Sequence, residues 1–196
     1  MTRRTSTRRR MLESAADVFH TQGYHATGLN QLVAAGGAPK GSLYFHFPGG
    51  KQQLAAEAME ISGQHLCDQL RELLATAPDP GSAIAAVVEA LAHHLTASDF
   101  RRACPIASVA VDAADSEPVR QACASAYSSW HRVIAEHLEA HGMVAAQAGV
   151  LAMVALSGIE GALLLAKTQR DLAPLRAVGE HLREQFSREN TSRANP

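Results

Sequence analysis

The stretch FHTQGYHATGLNQLVAAGGAPKGSLYFHFPGGK, residues 19–51, decides the fold of this chain. A helical pattern over about 6–21 ends at Gly23, and Thr27 can cap a short second helix over about 28–35. The glycine pair at 36–37 supplies a turn, and Pro39 suits the first position of a third short helix. The pattern therefore predicts a helical pair joined by a glycine turn and preceded by one more helix.

The remainder of the chain reads as long helices. Apolar periodicity and breakers predict helices over about 51–76, 82–97, 104–114, 117–141, 144–168 and 172–186. The chain contains 37 alanines in 196 residues, which is typical of packed helices and not of sheets. We expect an all-α chain with a three-helix domain at 1–50, a helical domain at 51–187 and a flexible tail at 188–196.

Charge divides the chain in the same way. Residues 1–51 hold seven lysines and arginines and two acids, whereas the rest carries a net charge of −6. A basic head on an acidic body favours a polyanion ligand for the head alone. A nonspecific DNA-packaging protein would be basic throughout, so this class is disfavoured. Three unpaired cysteines and no signal sequence predict a soluble cytoplasmic protein with reduced thiols.

The third short helix has the features of a DNA recognition helix. A helix that enters a major groove must be short and small-sided at its start. Lysine, glycine and serine supply charge, close backbone approach and a short donor, and an aromatic ring and histidine beyond them reach phosphates. An ordinary helical hairpin is the alternative reading. The predicted DNA-binding residues are Thr27, Pro39, Lys40, Gly41, Ser42, Tyr44, His46 and Lys51.

These motifs resemble the TetR family of bacterial repressors over residues 10–55. The resemblance rests on Gly23-Tyr24 with Thr27, on the run 40–47 and on Lys51 with Leu54. The stretches 37–51, 103–107 and 160–166 are similar to a subgroup that regulates multidrug-efflux genes. The resemblance implies a homodimer, a palindromic double-stranded operator and a small-molecule inducer that releases the DNA.

Residues 148–166 form an apolar run whose only charge is Glu160. A membrane span fits the length, but glycine and alanine insert poorly, so we expect a buried or interface helix. Ser157, Gly158 and Gly161 allow another helix to approach closely. The resemblance places them in a four-helix dimer interface, and internal packing is the alternative. Glu160 pairs with an arginine such as Arg170 or Arg176, or contacts a ligand.

Other residues of the helical domain point to a ligand site and not to catalysis. Aromatic and apolar side chains that suit a small hydrophobic ligand, or plain core, are Phe100, Tyr127, Trp130 and Met153. His137 and His141 lie one turn apart, without the order of a zinc peptidase. An all-helical enzyme around Cys104 or His93, or a simple ligand-binding protein, remains an alternative. We expect no catalytic residue, no cofactor and no metal.

The first ten residues hold five arginines, at 3, 4, 8, 9 and 10. We expect them to precede the first helix as an arm. Such an arm either tracks DNA phosphates or is an ordinary solvated chain end.

Overall fold

The computed structural model describes residues 3–39, 41–113 and 115–191, and the residues that it describes form helices and turns without a strand. The all-α prediction is confirmed. The helices are α1 Arg3–Gln22, α2 Leu29–Ala35, α3 Ser42–His46, α4 Gly50–Thr76, α5 Pro80–Ala97, α6 Pro105–Asp112, α7 Glu117–Ala140, α8 Ala145–Gln169 and α9 Ala173–Thr191. The last helix extends past the predicted end at 186, to Thr191, and residues 192–196 lie outside the described part.

The chain forms two compact units. The first combines residues up to His65 with Cys104–Tyr127, and the second combines Leu66–Ala103 with the chain from Ser128 onward. Helix α6 and the first half of α7 therefore pack in the unit that holds α1, α2 and α3. These units are not the predicted domains 1–50 and 51–187, whose boundary stays a prediction.

Capping residues explain where helices α5 and α6 begin. The Asp79 carboxylate accepts a hydrogen bond from the Ser82 amide at 2.8 Å, and Pro80 follows it at the start of α5. This cap places the helix start two residues before the predicted position at 82. Cys104 caps α6 in the same way, because its Sγ accepts from the Ala107 amide at 3.4 Å and Pro105 follows.

Large side chains form the core of the first unit. The fully buried ones in its N-terminal part are Met11, Phe19, Leu32, Leu43, Phe47, Leu54 and Met59. A domain with so few residues needs side chains of this size to bury enough apolar surface.

The second unit relies on close helix approach instead. A methyl group added at Gly179 of α9 would lie 2.7 Å from Cγ2 of Val88 on α5. A methyl group at Gly158 of α8 would lie 3.3 Å from Cγ1 of Val178 on α9. Small residues at these crossings bring the backbones together, and alanines fill much of the surrounding interior.

Candidate nucleic-acid interface

The turn between α1 and α2 is held by its own side chains and differs from the prediction. Gly23 has φ +82°, in the left-handed region that glycine adopts easily. The Thr27 hydroxyl donates to the Gly23 carbonyl at 2.7 Å, and Thr27 is only 1% exposed. The N-cap of α2 is Gly28, so Thr27 does not cap this helix as predicted. With its only O–H donated inside the turn, Thr27 does not offer that hydrogen to a phosphate.

The turn between α2 and α3 packs directly against α1. A methyl group at Gly36 would lie 2.8 Å from Cγ of Met11, so only glycine fits between the turn and α1. Gly37 has φ +59°, and the Ala38 amide donates to the Val33 carbonyl at 3.1 Å. These bonds reverse the chain after α2 and set the direction in which α3 starts.

Helix α3 begins at Ser42, three residues later than the predicted start at Pro39. The Ser42 amide and hydroxyl both donate to the Pro39 carbonyl, at 2.9 and 2.8 Å, which closes a single turn before the helix. Gly41 is the exposed N-cap, with no side-chain capping bond. Pro39 is also exposed, and Lys40 lies outside the described residues.

One face of α3 is anchored and the other is open. Leu43 and Phe47 are buried at 2% and 0% exposure, whereas Tyr44 and Phe45 are 61% and 63% exposed. His46 is half-buried, with its ring 5.1 Å from that of Phe45. The helix therefore presents two adjacent aromatic rings. Phe45 was missed by sequence reasoning, although its place between Tyr44 and His46 was a usable signal.

Lys51 lies over an aromatic ring. Its Nζ is 4.4 Å from the centroid of the Tyr24 ring, a cation–π distance. Partial burial lowers the pKa of the Lys51 ammonium, and the Asp112 carboxylate opposes that shift. Gly50, with φ +66°, precedes it at the start of α4. The structure thus gives Lys51 a partner in its own chain, and its predicted DNA contact stays a prediction.

The N-terminal arginines belong to α1 and do not form an arm before it. The expectation is wrong because the helix begins at Arg3. Arg8 forms an ion pair with Glu57 of α4, and its guanidinium carbon lies 4.9 Å from the centroid of the Phe47 ring. Arg9 pairs with Glu13 one turn along the helix at 2.7 Å. These two cations are engaged in the chain's own folding.

Helix α8 carries an exposed stripe of small and aliphatic side chains. Ser157 and Gly161 are exposed, and Gly158 is half-buried against α9. Exposed aliphatic residues at helical spacing from them are Val150, Met153, Val154, Leu164 and Leu165. Met153 is 51% exposed on this stripe, so it does not lie in the interior as expected for a pocket residue.

By length and composition, α8 could also cross a membrane. One helix of this kind is weak evidence, because core helices of soluble proteins meet the same criterion.

The other predicted ligand residues lie at scattered depths. Trp130 is 6% exposed on α7, and Tyr127 and Glu160 are half-buried. Phe100 is half-buried, has φ +57° and lies 6.0 Å from the Arg170 guanidinium. Arg170 pairs with Asp99 at 2.5 Å, so this arginine is engaged with an acid other than Glu160.

The histidines and cysteines show no reactive arrangement within the described ranges. His137 and His141 have ring centroids 4.4 Å apart, and burial lowers the pKa of His137. Residues 3–39, 41–113 and 115–191 contain no group of three potential metal ligands. The cysteines are buried thiols, and burial raises the pKa of Cys123 to about 11, far from that of an activated nucleophile.

Within the first unit, α2 and α3, with a glycine turn between them and an open face on the second, form a helix-turn-helix DNA-binding module. Residues 11–58 match the model of bacterial regulatory proteins of the tetR family. Residues 80–181 match the LmrA/YxaF-like C-terminal domain of transcriptional regulators. The chain belongs to the TetR family of transcriptional regulators, and the predicted resemblance is confirmed.

Sequence similarity to known regulators extends along nearly the full chain. The chain is 36% identical over 183 residues to the uncharacterized regulator YxaF of Bacillus subtilis, covering 93% of this chain and 96% of that one. It is 36% identical over 169 residues to the Bacillus subtilis regulator LmrA, covering 86% and 90%. It is 37% identical over 182 residues to the uncharacterized regulator Rv0196 of Mycobacterium tuberculosis, covering 90% and 92%.

Solved structures agree on the fold. A TetR-family regulator from Agrobacterium tumefaciens superposes with a TM-score of 0.80 at 20% identity, covering 93% of this chain and 98% of that one. NemR of E. coli in its reduced form gives 0.76 at 23% identity, covering 90% and 95%. The chain is thus a DNA-binding transcriptional regulator and not an enzyme, which removes the enzyme alternative.

Proposed function

We propose that this regulator is a homodimeric repressor that leaves a palindromic operator when a small hydrophobic ligand binds. The observation that carries the proposal is the exposed aromatic pair on α3, Tyr44 and Phe45. Exposed apolar and aromatic surface that is contiguous marks interaction sites on folded proteins. In a helix-turn-helix unit that partner is the major groove and the phosphates at its edge.

Within this proposal, residues on and around α3 divide into two roles. Gly41 and Ser42 stand at the start of the helix, where small residues allow close approach to base edges. The Tyr44 hydroxyl and the His46 ring lie beyond them and donate to phosphates. Pro39, Lys40 and Lys51 complete the set of proposed contacts. Thr27 is omitted because its hydroxyl is committed to Gly23.

The proposed dimer forms through α8 and α9. The exposed stripe on α8 includes Ser157 and Gly161. A methyl group added at Gly161 would have no atom of its own chain within 4 Å. A second copy of the chain covers this stripe through two-fold symmetry, the commonest symmetry of identical subunits. To bind successive major grooves of the operator, the two symmetry-related recognition helices need to lie about 34–36 Å apart, or a multiple of it.

The proposed ligand site lies around Trp130, with Tyr127, Phe100 and Glu160 as further candidates. We assign Met153 to the proposed dimer interface and not to the ligand site, because it lies on the exposed face of α8. A hundredfold loss of operator affinity requires the ligand to prefer the released state by about 2.7 kcal/mol. The likeness of residues 37–51, 103–107 and 160–166 to regulators of multidrug-efflux genes favours hydrophobic compounds. Buried thiols and DNA as the partner favour a cytoplasmic location.

A mobility-shift assay with the DNA directly upstream of the chain's own gene tests the proposal. We expect a shifted band at nanomolar concentrations of the dimer, and an excess of unrelated duplex should not remove it. Protection by the dimer should cover two inverted half-sites. Equal affinity for upstream and unrelated duplexes would contradict the operator, and a single unrepeated half-site would contradict the palindrome. A panel of hydrophobic cations and neutral drugs, added to the complex, then tests ligand release.

A further inference from the structure

Asp112, the last residue of α6, lies against the turn that joins α1 to α2. Its Oδ2 accepts a hydrogen bond from the His25 amide at 2.6 Å, across 87 residues of sequence. We propose that Asp112 is a positioning residue for operator binding, which fixes the helix-turn-helix module to α6 through the backbone of this turn. The inference rests on the proposed function, since it concerns how the module is held for DNA.

Asp112 occupies the C-terminal end of α6, an electrostatically unfavourable position for a carboxylate. The C-terminal end of a helix carries partial negative charge, so a carboxylate there is disfavoured unless other groups compensate it. Asp112 has two compensating groups, the His25 N–H and the positive charge of Lys51. Both belong to the DNA-binding part of the chain. The carboxylate therefore faces that part and is satisfied by it.

The same carboxylate oxygen also lies close to Gly23. A methyl group at Gly23 would lie 3.0 Å from Asp112 Oδ2, tighter than an ordinary van der Waals contact. The left-handed backbone at this position, φ +82°, also favours glycine. The turn and the carboxylate thus fit each other at two successive points, Gly23 and His25.

The neighbouring acid provides a contrast. Asp115 also approaches His25, but its Oδ1 is 3.6 Å from the ring nitrogen, and both side chains are more than half exposed. Exposed pairs of this kind contribute little. Asp112 holds the backbone at hydrogen-bond distance, whereas Asp115 only lies near a side chain.

The contact reaches the recognition helix through a short and stiff path. The turn that Asp112 holds is closed by the Thr27 hydroxyl and leads directly into α2. The turn after α2 packs directly against Met11 of α1 at Gly36. We therefore expect α1, α2 and the start of α3 to move together. Fixing this turn to α6 therefore fixes the orientation in which Tyr44 and Phe45 are presented.

The test uses the full-length protein and a duplex that the wild type selects from random sequences. We expect Asp112→Ala to weaken binding of the selected duplex about tenfold, the scale of one hydrogen bond to a charged group. Binding of a random duplex of equal length should change less than twofold, and the melting temperature should fall by only about 2–4 °C per kcal/mol of the lost bond, so the protein stays folded. Hydrogen exchange of the His25 amide, measured without DNA, should accelerate.

Two variants sharpen this result. Asp112→Asn keeps an oxygen acceptor and should restore most of the affinity and amide protection, while Asp115→Ala should match wild type in all measurements. Asp112→Ser, whose side chain is too short to reach the amide, replaces the alanine variant if that one is unstable.

Three results would overturn the inference. The first is unchanged DNA affinity and unchanged His25 amide exchange in Asp112→Ala, and the second is an equal loss of affinity for the selected and the random duplex. The third is loss of the folded protein in both Asp112→Ala and Asp112→Ser. Failure of the wild type to select any duplex would instead reject the proposed function, and amide exchange would still test the contact.

Discussion

Helices α3 and α8 both leave large side chains exposed, but they do so with different chemistry. The five residues of α3 expose two aromatic rings, and its other face is anchored by Leu43 and Phe47. The 25 residues of α8 expose aliphatic side chains separated by glycine and serine. An aromatic ring with a polar tip, as in Tyr44, suits the edge of a nucleic-acid groove, whereas an aliphatic stripe interrupted by small residues suits another helix. The difference supports the two proposed partners, DNA for α3 and a second copy of the chain for α8.

The largest expected effect is on assembly. Ser157→Arg puts a bulky cation into the proposed seam, where an unpaired buried charge costs several kcal/mol. We expect sedimentation to give a monomer, and operator affinity to fall by more than a hundredfold because two half-sites no longer bind together. Ser125→Arg adds the same charge at an exposed position on α7 and serves as the control. A dimer that survives Ser157→Arg would place the interface elsewhere.

The next effect concerns the α3 face. Tyr44→Ala should cost about 1–3 kcal/mol of operator binding, because it removes a base-edge or phosphate contact. Unfolding by urea should change little, since the ring is 61% exposed. Ile61→Ala, a comparably exposed apolar side chain on α4, is the matched control and should leave DNA affinity intact. If both variants bind like wild type, α3 does not present its rings to DNA.

A smaller effect should separate the arginines of α1. Deleting residues 1–7 removes Arg3 and Arg4 and keeps Arg8. If the deleted pair neutralises phosphates, the slope of log K against log salt should fall in magnitude by up to about 2 per protomer. The affinity is measured at four or more salt concentrations for both proteins. Identical slopes would show that these residues make no ionic contact with DNA.

The smallest effect is on stability. Arg8→Ala removes an ion pair with Glu57 and a cation–π contact with Phe47, and we expect a loss of about 1 kcal/mol in the free energy of unfolding. Arg9→Ala breaks only an exposed pair within α1 and should cost less than Arg8→Ala. Urea titrations of both variants give the comparison. A larger loss for Arg9 would show that the contact between α1 and α4 contributes little.

Much of this architecture was predictable because it depends on local pattern. Within the part of the chain that the structure describes, apolar periodicity located nine helices, and breakers such as Pro78 and Gly142 marked most ends to within a few residues. The recognition helix was also predictable, although its start at Ser42 was not, because the turn there depends on bonds back to Pro39.

What the pattern missed are contacts made by long or distant side chains. Lys51 lies over Tyr24 and Arg8 over Phe47, and no spacing rule predicts which ring a flexible cation will cover. Met153 was expected inside, but α8 is apolar on every side and its sequence does not show which side faces out. The bond from His25 to Asp112 joins a turn and a helix end far apart in sequence, which only the folded chain brings together.

Trp130 is the only tryptophan of the chain and is 6% exposed. Its emission therefore reports on one place, the second half of α7, without any label or engineered dye. An indole buried this deeply should fluoresce at short wavelength, and a ligand that enters beside it should quench or shift that light. Unmodified protein in a fluorimeter can thus serve to screen compounds before the operator is known.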